Sequence, residues 1–308
     1  MRILFWGTPE FAAAPLRALI GEGFEVVGVV TQPDKPQGRK RSVVPSPVKL
    51  IATEEAIPLF QPEYARDPEL IEMLKSVQPD ISVVAAYGQI LSKAIIDLPR
   101  LGSLNVHASL LPELRGAAPI QAAIRQGLSK TGISIMRVVP ALDAGPVLLQ
   151  AETPIHADDT FGELRGHLSE LGALTLIEAL ALLGLGKIEE TPQDDSLATY
   201  APKVDREATR INWSETALGV SRAIRAYDPT PGAFTQLRGK DVKFFGAKVV
   251  SDASGKPGEI LAGEPSVVVA CAQDAVAISD VQPAGKSRMP AGDWVRGRAA
   301  AIGDVLGA

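Results

Sequence analysis

Asn105, His107 and Asp143 are the residues of this chain whose types and spacing suit chemistry at a carbonyl-like carbon. The first two sit in Asn105-Val106-His107, at the end of an apolar run from Leu101. The alternation of a strand points both polar side chains to one side and Val106 to the other. Asp143 follows a second apolar run, Ile133 to Val139. The trio fits attack by an amine: Asn105 donates to a developing oxyanion, His107 donates or shuttles a proton, and Asp143 orients the imidazole and sets its tautomer. A plainer reading is a strand-end turn with Asn and Asp as turn formers and a satisfied core histidine. Asn-Val-His alone favours that plainer reading; its surroundings reverse the balance.

Those residues need a scaffold, and the chain spells one out. Residues 2–6, 24–30, 81–85 and 101–107 read as strands, with helical patterns at 11–20, 48–55 and 70–76 between them. The alternation predicts an α/β fold, a Rossmann-like, mostly parallel sheet with helices on both faces. Ligands of such sheets bind beyond the carboxyl ends of the strands, where Asn105, His107 and Asp143 fall. Pro119 opens a further helix and Gly127 closes it. Residues 161–185 read as a long Ala/Leu-rich helix, interrupted near Gly172 and ending around Gly184. Residues 188–207, rich in Pro, Asp, Glu and Thr, read as a linker. Beyond it, a helix at 217–226 precedes β-like segments at 232–237, 240–250, 258–261, 266–270 and 276–281, a small barrel or sandwich. The expected organisation is a catalytic domain at 1–187, a linker at 188–207 and a C-terminal domain at 208–308.

Composition narrows the classes. At 308 residues two domains are the default, and 46% hydrophobic with 22% charged residues is ordinary for a globular protein. A single cysteine, Cys271, excludes an intrachain disulfide and a cysteine-based metal cluster. His107, His156 and His167 lack metal-ligand spacing, so no metal is expected. Met1 runs straight into a strand without a cationic leader, and no uninterrupted apolar run approaches bilayer length. A cytoplasmic protein without membrane contact, and a monomer, are the expectations. The net charge of −5 argues against sequence-blind binding along nucleic acid. From Asp205 onward, 13 Lys and Arg face 12 Asp and Glu, so the acidity lies in the first 204 residues. Gly7-Thr-Pro-Glu10 invites a dinucleotide reading, but one glycine, a Pro without an N–H and an acidic Glu10 suit no phosphate. A nucleotide-dependent oxidoreductase is therefore the second reading, and a non-catalytic RNA-binding barrel the third. The lack of interleaved aromatics for base stacking disfavours the last.

The acidic first part nevertheless holds a concentrated basic stretch. Arg39, Lys40 and Arg41 stand between Lys35 and Lys49, with no acid between Asp34 and Glu54. Pro33, Pro36, Pro45 and Pro47 stiffen the flanks and Gly38 lets the tip turn, so the charge is presented. Guanidinium groups bind phosphate bidentately and stack on unpaired bases.

Six motifs in order complete the pattern: Met1 to Phe11, Thr31 to Lys35, Pro45 to Lys49, Ala86 to Leu91, Asn105 to Gln121, and Gly285 to Met289. Together they make the chain resemble the formyltransferases that use 10-formyltetrahydrofolate, and within that family those whose acceptor is initiator methionyl-tRNA. Two positions differ from the usual pattern. Leu114 stands where an aromatic residue is common, and the basic loop reads Gly-Arg-Lys-Arg-Ser rather than Gly-Arg-Gly-Lys-Lys.

The resemblance implies the site. Asn105, His107 and Asp143 become the catalytic residues of formyl transfer to the α-amino group of esterified methionine, for translation initiation. Ser109, Leu110, Leu111 and Pro112 match the family's folate loop. Tyr87, Gly88, Gln89 and Ile90 form one wall of the pterin pocket; Val138, Val139 and Leu142 form another. Arg39, Lys40 and Arg41 reach the tRNA, and the C-terminal domain becomes an OB-like, tRNA-binding barrel. The expected co-substrate is 10-formyltetrahydrofolate, without a metal. A small-amine acceptor such as an amino sugar nucleotide is the nearest alternative. Arg115 either caps a helix or contacts the substrate end, and the residues do not separate the two.

Overall fold

The computed structural model describes residues 1–37 and 42–307. The chain divides into two compact units, one made of Met1–Pro119, Thr131–Thr153 and Arg165–Ala201, the other of Ile120–Lys130, Pro154–Leu164 and Pro202–Ala308.

The first unit begins with β1 (Arg2–Gly7), α1 (Ala13–Gly21) and β2 (Glu25–Val30). A two-stranded hairpin of β3 (Lys35–Gln37) and β4 (Ser42–Val44) follows, antiparallel in register, and was not foreseen from the sequence. Then come α2 (Pro47–Glu54), β5 (Leu59–Phe60), α3 (Pro68–Ser76), β6 (Ile81–Ala85), α4 (Lys93–Ile96) and β7 (Ser103–His107). After α5 (Pro119–Gln126), which apart from Pro119 belongs to the second unit, β8 (Lys130–Arg137) and β9 (Val147–Pro154) complete the sheet, and α6 (Phe161–Gly184), in this unit from Arg165 onward, covers it. The strand order is β5-β2-β1-β6-β7-β8-β9. From β5 to β7 all pairings are parallel, and β8 then runs antiparallel to β7. A parallel sheet covered on both faces needs strands that are apolar throughout, and Ile3, Leu4, Phe5 and Trp6 of β1 are all buried.

The helices start where local chemistry dictates. Ser46 caps α2 by accepting from the Lys49 N–H, and Asp67 caps α3 by accepting from the Glu69 N–H, each with Pro at the first position. Such caps contribute about 1 kcal/mol each. The chain leaves β1 for β2 on one side and returns to β6 on the other. A crevice therefore opens beyond the carboxyl ends of β1 and β6, next to the end of β7.

Helix α6 is continuous, contrary to the break expected at Gly172. The glycine serves close approach instead. A Cβ there would lie 2.9 Å from Val106 Cγ1 and 3.4 Å from Ile133 Cδ1, so the helix backbone rests directly on β7 and β8. By length and composition α6 could also cross a membrane, but 44% of its apolar window is buried within the protein.

The second unit contains α7 (Ala217–Ala226), capped by Thr216, then β10 (Ala233–Leu237), β11 (Lys240–Val250), β12 (Ile260–Ala262), β13 (Val267–Ala270), β14 (Ala275–Pro283), β15 (Met289–Pro290) and α8 (Ala291–Arg296). Its antiparallel sheet runs β10-β11-β14-β13-β12, with β15 on β14. The C-terminal tail curls the sheet toward a barrel. Leu306 N–H donates to Gly258 O beside β12 at 2.8 Å, and Gly307 N–H donates to Gln236 O of β10 at 2.8 Å. Phe244, fully buried, stands edge-on to Trp213 and Trp294 at the centre of this unit.

Gly172→Ala tests the contact between α6 and the sheet. Alanine improves helix propensity by up to about 1 kcal/mol, while overpacking costs about 1–3 kcal/mol. The overpacking should win, lowering the midpoint of thermal unfolding by several degrees in a circular dichroism melt. An unchanged or raised midpoint would mean that α6 sits farther from Val106 than described.

Candidate active site

Strand β7 carries the first two site residues. It is held on one edge by β6, with Val84 opposite Asn105, and on the other by β8, with Met136 opposite Asn105 and Ser134 opposite His107. Val106 points at α6, as its approach to Gly172 requires, so Asn105 and His107 share the opposite face. Asn105 is half-buried, and its side-chain amide has no hydrogen bond among the described residues.

His107 is 5% exposed. Its Nε2 lies 3.1 Å from the Leu114 carbonyl, to which it donates, and its Nδ1 lies 3.7 Å from Asp143 Oδ2. That second distance exceeds a hydrogen bond. Burial pushes the imidazole pKa below its ordinary value, with Asp143 and the Leu114 carbonyl opposing the shift. The resting ring is therefore neutral, with its proton on Nε2 and the Nδ1 lone pair facing the carboxylate. This differs from the sequence expectation in one respect: the Leu114 carbonyl, not Asp143, sets the tautomer. Leu114 itself is buried at φ +58°, and its N–H donates to Thr199 Oγ1 at 2.8 Å. Its side chain is buried, while its backbone grips the histidine.

Asp143 lies on the connection between β8 and β9, at φ +47°, a region that costs a non-glycine residue energy. Its Oδ2 accepts the Gly116 N–H at 2.8 Å. The turn is drawn close to β8: a Cβ on Gly145 would lie 1.9 Å from the Arg137 carbonyl oxygen.

Ser109 to Pro112 leave β7 through a network of hydrogen bonds. Ser134 Oγ donates to Ser109 O at 2.7 Å and accepts from the Leu111 N–H at 3.0 Å, while Gln150 Nε2 donates to Leu111 O at 2.9 Å. Ser109 and Leu111 are buried, and Leu110 and Pro112 are half-buried. The loop after β6 divides its residues. The Tyr87 ring is in the core, 1% exposed and edge-on to Trp6, and burial pushes its phenol up to about 12. Its carbonyl accepts from Thr8 Oγ1 and from Gln32 Nε2. Gly88 turns at φ +86°, and Gln89 ties the loop back through the Ala65 N–H and the Glu63 carbonyl. Ile90, at 90% exposure, stands in solvent. Val138 packs on the same cluster as Tyr87, Val139 is half-buried, and Leu142 is 60% exposed. Ile90 and Leu142 thus stand exposed on the loops that follow β6 and β8.

Arg39, Lys40 and Arg41 lie outside the described residues; β3 and β4 flank them. Arg115 is buried, with its Nε and Nη2 on Gln193 Oε1 at 3.0 and 2.8 Å and its Nη2 on Asp195 Oδ1 at 2.7 Å. Gln193, Asp195 and Thr199 come from the segment read as a linker, and sequence reasoning missed them. In the C-terminal motif, Arg288 lies 4.2 Å from the Phe245 ring centroid and pairs with Asp228 and Asp280, so its partly exposed charge is paired within the chain.

Residues 1–180 match the formyl transferase family, and residues 203–299 match the formyl transferase C-terminal domain. The chain belongs to the formyltransferase family. A methionyl-tRNA formyltransferase of Geobacillus thermodenitrificans is 47% identical over 310 residues, covering 99% of this chain and 97% of that protein. One from Pseudomonas fluorescens is 44% identical, covering 100% and 97%. Among solved structures, HypX from Aquifex aeolicus in complex with tetrahydrofolic acid superposes with a TM-score of 0.70 at 21% identity. That superposition covers 96% of this formyltransferase and 47% of HypX, and shows a shared fold.

With formyl transfer as the reaction class, the unengaged Asn105 amide acquires a test. Asn105→Ala should lower turnover by about two to three orders of magnitude, the usual loss of one oxyanion donor, with KM for either substrate little changed. Turnover within a few-fold of wild type would remove Asn105 from the reacting centre.

Proposed function

We propose that this formyltransferase moves the formyl group of 10-formyltetrahydrofolate to the α-amino group of methionine on initiator tRNA, as a monomer in the cytoplasm, for translation initiation. The observation that carries this reading is similarity along almost the whole chain, both family segments included, to methionyl-tRNA formyltransferases. The catalytic assignment rests on the geometry around His107.

The folate supplies an activated formyl group on a nitrogen leaving group. Ser109 to Pro112, Tyr87 to Ile90, and Val138, Val139 and Leu142 are the residues we assign to its pocket. Attack requires a neutral amine. As the new C–N bond forms, the amine must lose a proton and the formyl oxygen gains charge. Neutral His107, with a free Nδ1 lone pair, takes that proton, directly or through water. The resulting imidazolium is stabilised on three sides: Leu114 O accepts from Nε2, Asp143 faces Nδ1, and the oxyanion develops nearby. Asn105 donates to the oxyanion. The proton then passes to the departing folate nitrogen as the old C–N bond breaks. Asp143 Oδ2 is held by Gly116 N–H, which keeps the carboxylate opposite Nδ1 throughout. A protonated histidine thus arises during transfer rather than at rest.

Acceptor choice is assigned to Arg39, Lys40 and Arg41 with the C-terminal domain at 208–308, and catalysis to residues 1–187, to which the segment expected as a linker at 188–207 is tied through Thr191 to Ala201. Replacing Arg39, Lys40 and Arg41 together with Ala should weaken initiator tRNA binding and flatten its dependence on salt, because fewer phosphates are neutralised. Folate binding should be unaffected. The check is tRNA affinity over a salt series for both proteins. Superimposable curves would transfer the acceptor role away from this loop and favour a small amine.

A further inference from the structure

We propose that Gln193 is a positioning residue for formyl transfer: its side-chain amide fixes the turn from Asp143 to Gly145, and so holds the carboxylate opposite His107 Nδ1. The inference rests on the role proposed above for Asp143 and adds what keeps it in place.

Asp143 needs outside support. Its backbone occupies the left-handed region at φ +47° without being glycine, and its carboxylate has one protein donor among the described residues, Gly116 N–H. Gln193 Nε2 donates to Asp143 O at 2.8 Å and to Gly145 O at 2.7 Å, bridging the turn on both sides of Ala144. Gln193 Oε1 accepts from Arg115 Nε and Nη2. Two donors and two acceptor positions are all used, and the partners allow one orientation only: carbonyls face the nitrogen and a guanidinium faces the oxygen. No other side chain of this length offers both.

The anchor behind Gln193 is rigid. The Arg115 side chain is 4% exposed and is held by Asp195. Its backbone exchanges hydrogen bonds with the returning chain: Arg115 N–H donates to Thr199 O at 2.9 Å, and Ala201 N–H donates to Arg115 O at 2.8 Å. Arg115 also precedes Gly116, whose N–H grips the Asp143 carboxylate. One arginine therefore fixes the main chain of the Asp143 turn through Gln193, and its side chain through Gly116. Thr191 completes the seam by exchanging two backbone hydrogen bonds with Val147, at 2.8 and 2.9 Å. The segment that composition marks as a spacer acts as a clamp on the reacting centre.

The test compares Gln193→Glu and Gln193→Leu with Asp143→Ala, alone and combined, in the full-length chain. Glu keeps a partner for Arg115 but turns oxygen toward two carbonyls; Leu removes both sets of bonds. Either should lower kcat by about a hundredfold, the effect of a misplacement on the scale of 1 Å, with KM for folate and acceptor within about threefold. Adding either to Asp143→Ala should cause little further loss, since groups acting as a unit are non-additive. A merely structural glutamine would instead raise KM together with lower kcat, or multiply its loss with that of Asp143→Ala; either result overturns the proposal. So do wild-type rates in both Gln193 variants while Asp143→Ala is crippled. If Asp143→Ala itself retains turnover, the role assigned to Asp143 is what fails. Should Gln193→Leu not fold, Gln193→Glu carries the same outcomes.

Discussion

A buried imidazole must find partners for two nitrogens, and at the end of β7 that requirement organises the surrounding loops. His107 donates through Nε2 to the carbonyl of Leu114 and turns Nδ1 toward Asp143. Leu114 can present its carbonyl only because it adopts a left-handed backbone and is tied to Thr199. Asp143 can face Nδ1 only because its own left-handed backbone is bridged by Gln193 and its carboxylate is met by Gly116. Both supports trace to the stretch from Thr191 to Ala201, which returns along Leu114 and Arg115. Burial keeps the ring neutral, and the nearby carboxylate makes protonation less costly than it would be in an apolar pocket. A group balanced in this way is suited to accept a proton during reaction and give it up again.

The parallel core was legible because strands buried on both faces must be apolar along their length. The runs at residues 2–6, 81–85 and 101–107 correspond closely to β1, β6 and β7. Asn105 and His107 were legible because alternation on one strand fixes their common face. The state of His107 was not, since it depends on a carbonyl seven residues away that only a folded loop can bring to Nε2. The continuity of α6 was missed because glycine reads as a helix breaker. Here Gly172 buys proximity to Val106 and Ile133, a tertiary gain that outweighs propensity. The clamp at 191–201 was hidden for a related reason. Pro, Asp, Glu and Thr marked the segment as a loop by composition, and nothing local distinguishes a solvated glutamine from one saturated by four hydrogen bonds. Arg115 could not be assigned until those partners were known. The tail that curls the C-terminal sheet was equally invisible, because Gly303 to Gly307 carry no strand pattern.

Charge is used differently in different parts of the chain. In the second unit, Arg206 and Arg210 lie over Phe234, and Arg288 lies over Phe245. Arg238 makes a bidentate pair with Asp304, and Arg288 pairs with Asp228 and Asp280. These cations hold barrel strands and tail in register as well as giving surface charge, and removing them would disturb packing along with any electrostatic attraction. The first unit keeps its buried cation, Arg115, for an organising task beside the reacting centre. A first part that is acidic overall yet holds one concentrated basic run fits a protein that meets a polyanion at a defined place rather than along its length.

The central claim is that resting His107 is neutral, protonated on Nε2, with Nδ1 open toward Asp143. It is tested most directly by nitrogen-15 NMR of histidine-labelled protein titrated through the acidic and neutral range, with His107→Gln used to assign the resonance. Burial dominates the shift, so His107 should titrate below the ordinary value of about 6.5 and show the Nε2-protonated tautomer at neutral pH. Asp143→Asn, which removes the charge that favours protonation, should move the titration lower still. A His107 that titrates above its ordinary value, or that carries its neutral proton on Nδ1, would contradict the account.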